Sequence, residues 1–284
     1  MSGILFVVAT PIGNLEDVTL RALRVLREVS VIAAEDTRRT ARLLQHYSIH
    51  TPTTSLHEHN ERTRTPGLLE RLKKGDSVAL VSDAGTPVVS DPGALLVRTA
   101  HEQGIKVEPI PGPSAVATIV SVSGLASDGF VFAGFPPSRA KARKAWLASF
   151  VNERRPLVLF EAPHRIRELL EDLREVLGER LVTLGRELTK AHEELVVRPI
   201  SGQLDALNVI RGEFTLLVHP AAGVTAHHGT LPSGGELLSQ FGELTNLRGV
   251  SRREAIRSLS LRHNLPSRQL YKLIEEAKAI GRKA

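Results

Sequence analysis

The chain is 284 residues long, 42% apolar, 24% charged and +6 in net charge. That is the balance of an ordinary water-soluble globular protein, with room for two domains that each bury a core. No apolar stretch approaches the roughly 20 residues that span a bilayer, Met1-Ser2-Gly3-Ile4 lacks the basic segment of a signal peptide, and the absence of cysteine excludes disulfides, thiolate metal sites and cysteine nucleophiles. The expectation is a cytoplasmic protein with no membrane partner.

Residues 4–9, Ile-Leu-Phe-Val-Val-Ala, read as a buried strand, broken by Thr10-Pro11-Ile12-Gly13-Asn14. Leucines 20, 23 and 26 then set helical spacing over Leu15 to Glu28. Ser30 to Ala34 is a second strand, closed by Glu35-Asp36-Thr37, where Asp36 or Thr37 caps the next helix. His57-Glu58-His59 lacks the i, i+4 spacing of a helical metal pair and reads as a solvated loop. Val78 to Val81 and Lys106 to Ile110 are further strands. The first runs into Ser82-Asp83-Ala84-Gly85-Thr86-Pro87, the second into Pro111-Gly112-Pro113-Ser114-Ala115, and each turn leads into a helix. Alternation of β and α elements predicts a largely parallel sheet covered by helices.

Near residue 120 the pattern restarts. Strands are expected at 130–134, 157–160, 181–185, 194–197 and 212–218, with helices at 140–150 and from about 163 to 177. This predicts a second, mixed α/β domain. Arg139, Lys141, Arg143 and Lys144 form a basic patch that is either a solvated helix face or a phosphate grip. Residues 223–235 have linker composition. Beyond them Ser251-Arg252-Arg253-Glu254 is a capping box. Two helices should follow, one burying Ala255, Ile256 and Leu259, the other Leu270, Ile274 and Ala277, with a turn at Asn264-Leu265-Pro266-Ser267 between them. From Arg248 onward ten Lys and Arg face three acids, +7, leaving about −1 on the other 247 residues. Such a basic module fits a polyanion, most simply nucleic acid; the alternative is a solubilising helix face. The expected boundaries are 1–118, 119–225 and 236–284.

The chemistry must come from the loops that follow strands, because ligands of open α/β sheets bind beyond the carboxyl ends of the strands. In the turn after Val81, Asp83 and Asp91 flank Gly85, which lets the backbone approach a ligand closely. No cation sits in that turn, so a cationic or amino-bearing ligand suits it better than a phosphate. Asp83 as a simple turn or cap residue is the alternative. There is no nucleophile elbow, no Gly-Lys-Ser/Thr phosphate loop and no Gly-x-Gly-x-x-Gly.

Six ordered segments together resemble one family. They are Ala9-Thr10-Pro11-Ile12-Gly13-Asn14-Leu15-Glu16-Asp17, Ala34-Glu35-Asp36-Thr37-Arg38, Ser82 to Pro87, Pro111 to Ala115, Glu161-Ala162-Pro163-His164-Arg165 and Arg186-Glu187-Leu188-Thr189-Lys190. The chain resembles the bacterial small-subunit ribosomal RNA 2′-O-ribose methyltransferases over essentially its whole length. Ala162 stands where the family pattern has serine. The resemblance implies two α/β domains of the tetrapyrrole-methylase type, with S-adenosyl-L-methionine in the cleft between them, a homodimer and no metal. It implies that Asp83, Ala84, Gly85 and Thr86 line the methionine end of the cofactor, that Ser114 and Ala115 touch it from the next loop, and that Phe160 and the backbone near Leu188 close the pocket. The implied product is a 2′-O-methylated cytidine in the decoding region of 16S rRNA.

An activated methyl donor needs mainly an aligned acceptor, but a ribose hydroxyl is a poor nucleophile and gains from a base or a cation. Glu35, Asp36, Glu187 and Lys190 are the candidates. Each has a structural alternative, Glu35 and Asp36 at a helix start, Glu187 with Lys190 as a surface pair. The rival functions are a tetrapyrrole methyltransferase of the same fold and a non-enzymatic nucleic-acid-binding regulator.

Overall fold

The computed structural model describes residues 2–125, 129–208, 210–221, 234–247, 250–263 and 267–281. The chain divides into two compact units, Met1–Ala222 and Gly223–Ala284.

The first unit contains two five-stranded sheets. In the first, strands β1 (Ile4–Val8), β2 (Val31–Ala34), β3 (Thr53–Ser55), β4 (Val78–Val81) and β5 (Lys106–Ile110) run in the order β3-β2-β4-β1-β5. All the pairings are parallel. Helices α1 (Leu20–Glu28), α2 (Thr37–His46), α3 (Glu61–Lys73), α4 (Ala94–Glu102) and α5 (Ala115–Val122) connect them or follow them. Parallel strands buried on both faces read as continuous apolar runs, and β2 and β4 divide their residues between two cores by the two-residue pleat. Ile32, Ala34, Ala79 and Val81 pack with Leu26 of α1 and Leu43 of α2. Val31, Ala33, Val78 and Leu80 pack with Leu69 of α3 and Leu96 of α4. Each such leucine or isoleucine contributes about 1.5–3 kcal/mol by leaving water.

This order creates the opening for a ligand. After β1 the chain crosses over β4 to β2, whereas after β4 it crosses over β1 to β5. The two connections leave on opposite faces, so the loops beyond β1 and β4 part at a topological switch point.

The second sheet has the order β6-β7-β10-β8-β9, from β6 (Val131–Gly134), β7 (Leu157–Glu161), β8 (Leu181–Arg186), β9 (Glu194–Pro199) and β10 (Phe214–Val218). Within this sheet, among the described strands, only the β6–β7 pairing is parallel. Helices α6 (Ala140–Ala148), α7 (Ile166–Leu177) and α8 (Ile200–Ala206) cover one face through Leu147, Leu169, Leu173 and Ile200, packed on Leu159, Leu184 and Leu216. The opposite face, with Val158 and Leu217, receives Val116 and Ile119 of α5 and Leu188. Thus the helix that ends the first half is a packing surface for the second.

Several local expectations change. The helix expected from Leu15 is two pieces. Asn14 accepts from the Glu16 N–H and caps a short 3-10 turn, and Thr19 accepts from the Ala22 N–H and opens α1. Leu20 is therefore a first-turn residue and is exposed, while Leu23 and Leu26 are buried. The basic patch on α6 is also divided. Arg143 is 1% exposed and lies 2.6 Å from Asp172 and 3.2 Å from Glu168 on α7, and Lys144 reaches Glu175 at 2.7 Å. These two cations clamp α6 to α7 and are not a phosphate grip; Arg139 and Lys141 remain exposed.

Among its described residues the second unit holds three α-helices, α9 (Gly234–Gly242), α10 (Arg252–His263) and α11 (Ser267–Gly281), with a π-helical turn at Glu243–Leu247. Leu237, Phe241, Ala255, Leu259, Leu270 and Ile274 form its core. The capping box is present. Ser251 Oγ accepts from the Glu254 N–H, and Glu254 Oε2 accepts from the Ser251 N–H, both at 3.3 Å. The expected linker lies outside the described residues except for 234 and 235, which begin α9. Residues 264–266 of the expected turn lie outside them too.

Candidate active site

At the switch point Thr10 and Gly85 exchange backbone hydrogen bonds of 2.8 and 2.9 Å, which ties the loop after β1 to the loop after β4. Gly85 has φ +78°, and an added Cβ would stand 3.4 Å from Ile12, so glycine is the residue this crossing accepts. The Thr86 hydroxyl donates to the Pro113 carbonyl at 3.3 Å and draws in the loop after β5. That loop ends at Ser114, the cap of α5. On the far side the turn after β8 meets the loop after β1. Asn14 N–H donates to Thr189 Oγ1 at 3.1 Å, and a Cβ at Gly13 would fall 2.3 Å from the Lys190 side chain. Glycine lets the two backbones approach.

Two cavities open here. One, of about 310 Å³, is lined by Ala84, Gly85, Thr86 and Asp91 from the β4 side, Ser114 and Ala115 at the start of α5, and Phe135, Phe160, Glu161 and Phe214 from the second sheet. The other, of about 390 Å³, is lined by Thr10 to Gly13, Arg39, Arg42, Asp83 and Lys190. Ile12, Ala84 and Glu213 line both, so the two cavities share a wall.

The proposed cofactor residues therefore fall in three places. Ala84, Gly85, Thr86, Ser114, Ala115 and Phe160 face the first cavity. Asp83 faces the second; its carboxylate accepts from the Asp36 N–H at 2.9 Å and lies 3.4 Å from Arg39. Leu188 is buried against Val116 and Ile119 and lines neither cavity.

The four candidate bases differ in their surroundings. Glu35 accepts from the Asp83 N–H at 3.2 Å, and burial raises its pKa. Asp36 caps α2, and its hydrogen bonds with Arg38 hold it well below the usual carboxylate range. Glu187 is raised by burial but lowered more by hydrogen bonds from Lys190 and the Glu213 N–H. Burial pulls Lys190 down, yet its contacts to Glu187 Oε1 at 2.8 Å and Glu213 Oε2 at 3.1 Å prevail, and its pKa is raised. Lys190 is thus a fixed ammonium at neutral pH. Asp91 is pushed up to about 6, first by burial, against a hydrogen bond from Ser82, with Glu35 and Asp83 adding repulsion.

Sequence reasoning missed Arg39, Arg42, Phe135 and Glu213 as site residues. Arg39 and Arg42 lie a helical turn apart on the side of α2 facing the cavity, a signal readable once α2 is known to start at Thr37. Glu213 immediately precedes the last strand and carried no motif. Among the described residues no three His, Asp or Glu side chains are grouped to hold a metal ion.

Residues 5–203 match the family described as Tetrapyrrole (Corrin/Porphyrin) Methylases. The chain belongs to the tetrapyrrole methylase family. It is an enzyme of the methyltransferase class. The protein named ribosomal RNA small subunit methyltransferase I of Pseudomonas aeruginosa is 49% identical over 242 residues, 84% of this chain and 85% of that protein. The protein of the same name from Synechocystis is 45% identical over 282 residues, 98% of this chain and 100% of that one. In fold, the methyltransferase resembles the crystal structure of uroporphyrin-III-C-methyltransferase from Thermus thermophilus, with a TM-score of 0.56 at 20% identity, covering 78% of this chain and 96% of that one.

Proposed function

We propose that this methyltransferase uses S-adenosyl-L-methionine in the first cavity and methylates the 2′-hydroxyl of a cytidine in 16S rRNA, presented from the second. The observation that carries the reading is the shared wall. A cavity with carboxylates and aromatic rings adjoins one lined by Arg39, Arg42 and Lys190. The names of the relatives support the RNA substrate.

The residues present fit the cofactor. Asp91 offers a carboxylate to an ammonium group. The first turn of α5, at Ser114 and Ala115, offers free N–H groups to a carboxylate. Phe135 and Phe160, 5.5 Å apart, offer faces to a purine or a sulfonium. Gly85 leaves backbone where a side chain would intrude. When bound, S-adenosyl-L-methionine supplies an electrophilic methyl group that needs no metal or covalent nucleophile for activation.

The chain's own residues then have separate tasks. Arg39 and Arg42 hold the phosphates that flank the target ribose. Lys190, kept charged by Glu187, donates to the ribose oxygen and stabilises negative charge developing there. Glu213 Oε2, on the shared wall, accepts the 2′-hydroxyl proton. Glu35 and Asp83 set the β4 loop against α2 through the Asp83 N–H and Asp36 N–H hydrogen bonds. Phe135, 56% exposed, covers the mouth and limits water. In the same reading residues 1–118 and 119–225 are the two α/β domains, 236–284 engage RNA, the protein works as a homodimer, and its compartment is the cytoplasm with the small subunit.

The test is incubation of the purified protein with small ribosomal subunits and methyl-labelled S-adenosylmethionine, followed by digestion to nucleosides. Labelled 2′-O-methylcytidine is expected. Label on a base, or on a tetrapyrrole offered in parallel and not on RNA, overturns the reading.

A further inference from the structure

The second unit carries a groove of about 700 Å³ between α10 and α11, with Phe241 of α9 at its base. One wall is Arg252, Arg253, Ile256 and Arg257. The other is Ser267, Tyr271, Ile274, Glu275 and Lys278, which recur at helical spacing along one face of α11.

The charge of this groove is costly to the unit itself. Arg252 and Arg253 occupy the first turn of α10, where the helix dipole disfavours cations, and Arg257 follows Arg253 at i, i+4, where like charges repel. All three are exposed. None has an ion-pair partner among the described residues. Lys278 differs. It pairs with Glu275 at 2.7 Å, and its ammonium sits 5.1 Å from the centre of the Phe241 ring. The groove therefore presents four cations and one carboxylate, and of these cations only Lys278 has an ion-pair partner among the described residues. Tyr271 stands among them, 57% exposed, although the unit has a closed core of its own.

We infer that this groove binds a single-stranded stretch of RNA, with Arg252, Arg253 and Arg257 on successive phosphates and a base stacked on Tyr271. The inference rests on the ribosomal RNA reading above and adds where the RNA is held. A row of arginines recognises a phosphate backbone. An exposed aromatic ring in the same groove recognises the face of an unpaired base, which a duplex keeps hidden in its stack. Both features lie within one unit, so the surface does not depend on the active-site cavities.

The experiment uses the full chain and two labelled probes, a short single-stranded oligoribonucleotide and a hairpin duplex of the same length. Affinities are measured across a salt series for wild type, for Arg252→Gln with Arg253→Gln and Arg257→Gln combined, and for Tyr271→Ala and Tyr271→Phe. The triple variant should lower the slope of log affinity against log salt by about 2, at roughly 0.7 per single-strand phosphate contact. Tyr271→Ala should weaken the single strand about tenfold and Tyr271→Phe should not. Thermal melting controls for folding, since removing cations from the first turn of α10 should leave its stability equal or higher. Triple-variant affinity and slope equal to wild type overturn the groove, and a preference for the hairpin that is indifferent to Tyr271 overturns the single strand. Methylation of small subunits by the wild type is scored separately. If the wild type methylates them while the variants bind RNA normally, only the groove is lost. If it methylates nothing, the functional reading is lost, whatever the binding shows.

Discussion

Lys190 Nζ stands between two carboxylates, 2.8 Å from Glu187 Oε1 and 3.1 Å from Glu213 Oε2, and the second of these residues lines both cavities. This bridge links the turn after β8 to the residue before β10, at the place where Gly13 of the loop after β1 passes over the Lys190 side chain. An ammonium so held is a donor with a fixed direction, which is what a site that must stabilise a developing oxyanion requires.

Lys190→Met should therefore reduce kcat by about 10² to 10³, the usual scale for losing one preorganised donor. S-adenosylmethionine affinity should change little, because Lys190 faces the second cavity. Lys190→Arg should retain part of the activity. Single-turnover rates on small subunits with calorimetric cofactor titration separate the two effects; a cofactor affinity that falls in step with the rate would place Lys190 in the wrong cavity.

Gly85→Ala should loosen the cofactor site without unfolding the protein. The new Cβ meets Ile12 at an ordinary contact distance of 3.4 Å, but φ of +78° costs an L residue about 1–2 kcal/mol. The strain falls on the Thr10–Gly85 hydrogen bonds that join the two loops. A drop in melting temperature of a few degrees and a roughly tenfold weaker cofactor titration are expected. Unchanged cofactor affinity would remove this crossing from the binding site.

The outline of the first unit was readable because β1, β2 and β4 are short, apolar and bounded by turn residues. Even so, their order was not. It depends on pairings such as Leu5 with Val78 and Ile32 with Ala79, far apart in the chain, and the switch point exists only once that order is known. Helix α3 went unread because Pro66 and six charged residues interrupt its pattern, although Leu68, Leu69 and Leu72 are buried. The same limit applied to the site. Gly85 and Ser114 announce themselves as a turn and a cap. Arg39 and Glu213 do not, since their importance lies in which cavity wall they share with residues over a hundred positions away.

The Arg143–Asp172 pair shows why a run of cations cannot be assigned from sequence alone. With Arg143 1% exposed and 2.6 Å from Asp172, Arg143→Ala leaves the buried Asp172 carboxylate with only Lys144, at 3.6 Å, a loss of about 3 kcal/mol, the low end for breaking a buried pair. Arg143→Met combined with Asp172→Leu should recover much of that, because the charge to be desolvated is gone. Urea unfolding of the single and double variants decides it. A double variant as unstable as Arg143→Ala would mean that the ion pair itself, and not its disruption, sets the stability.

Asp91 supplies the pH dependence. Its pKa is raised from 3.8 to about 6, chiefly by burial, so between those values the folded chain holds a proton that the unfolded chain has released. Stability owed to Asp91 is therefore greatest at low pH and falls as pH rises through about 4 to 6, then stays level. Asp91→Asn should flatten that part of the stability profile and raise the melting temperature at neutral pH. Cofactor binding should move the opposite way. An ammonium group is held by the ionised carboxylate, so affinity in the wild type should rise as pH increases through about 6, and in Asp91→Asn it should be weak throughout. Titrations at about pH 5 and pH 7.5 with both proteins test this directly. A cofactor affinity that is independent of pH in the wild type, or unaffected by the asparagine, would assign the amino end of the ligand to another wall of the cavity.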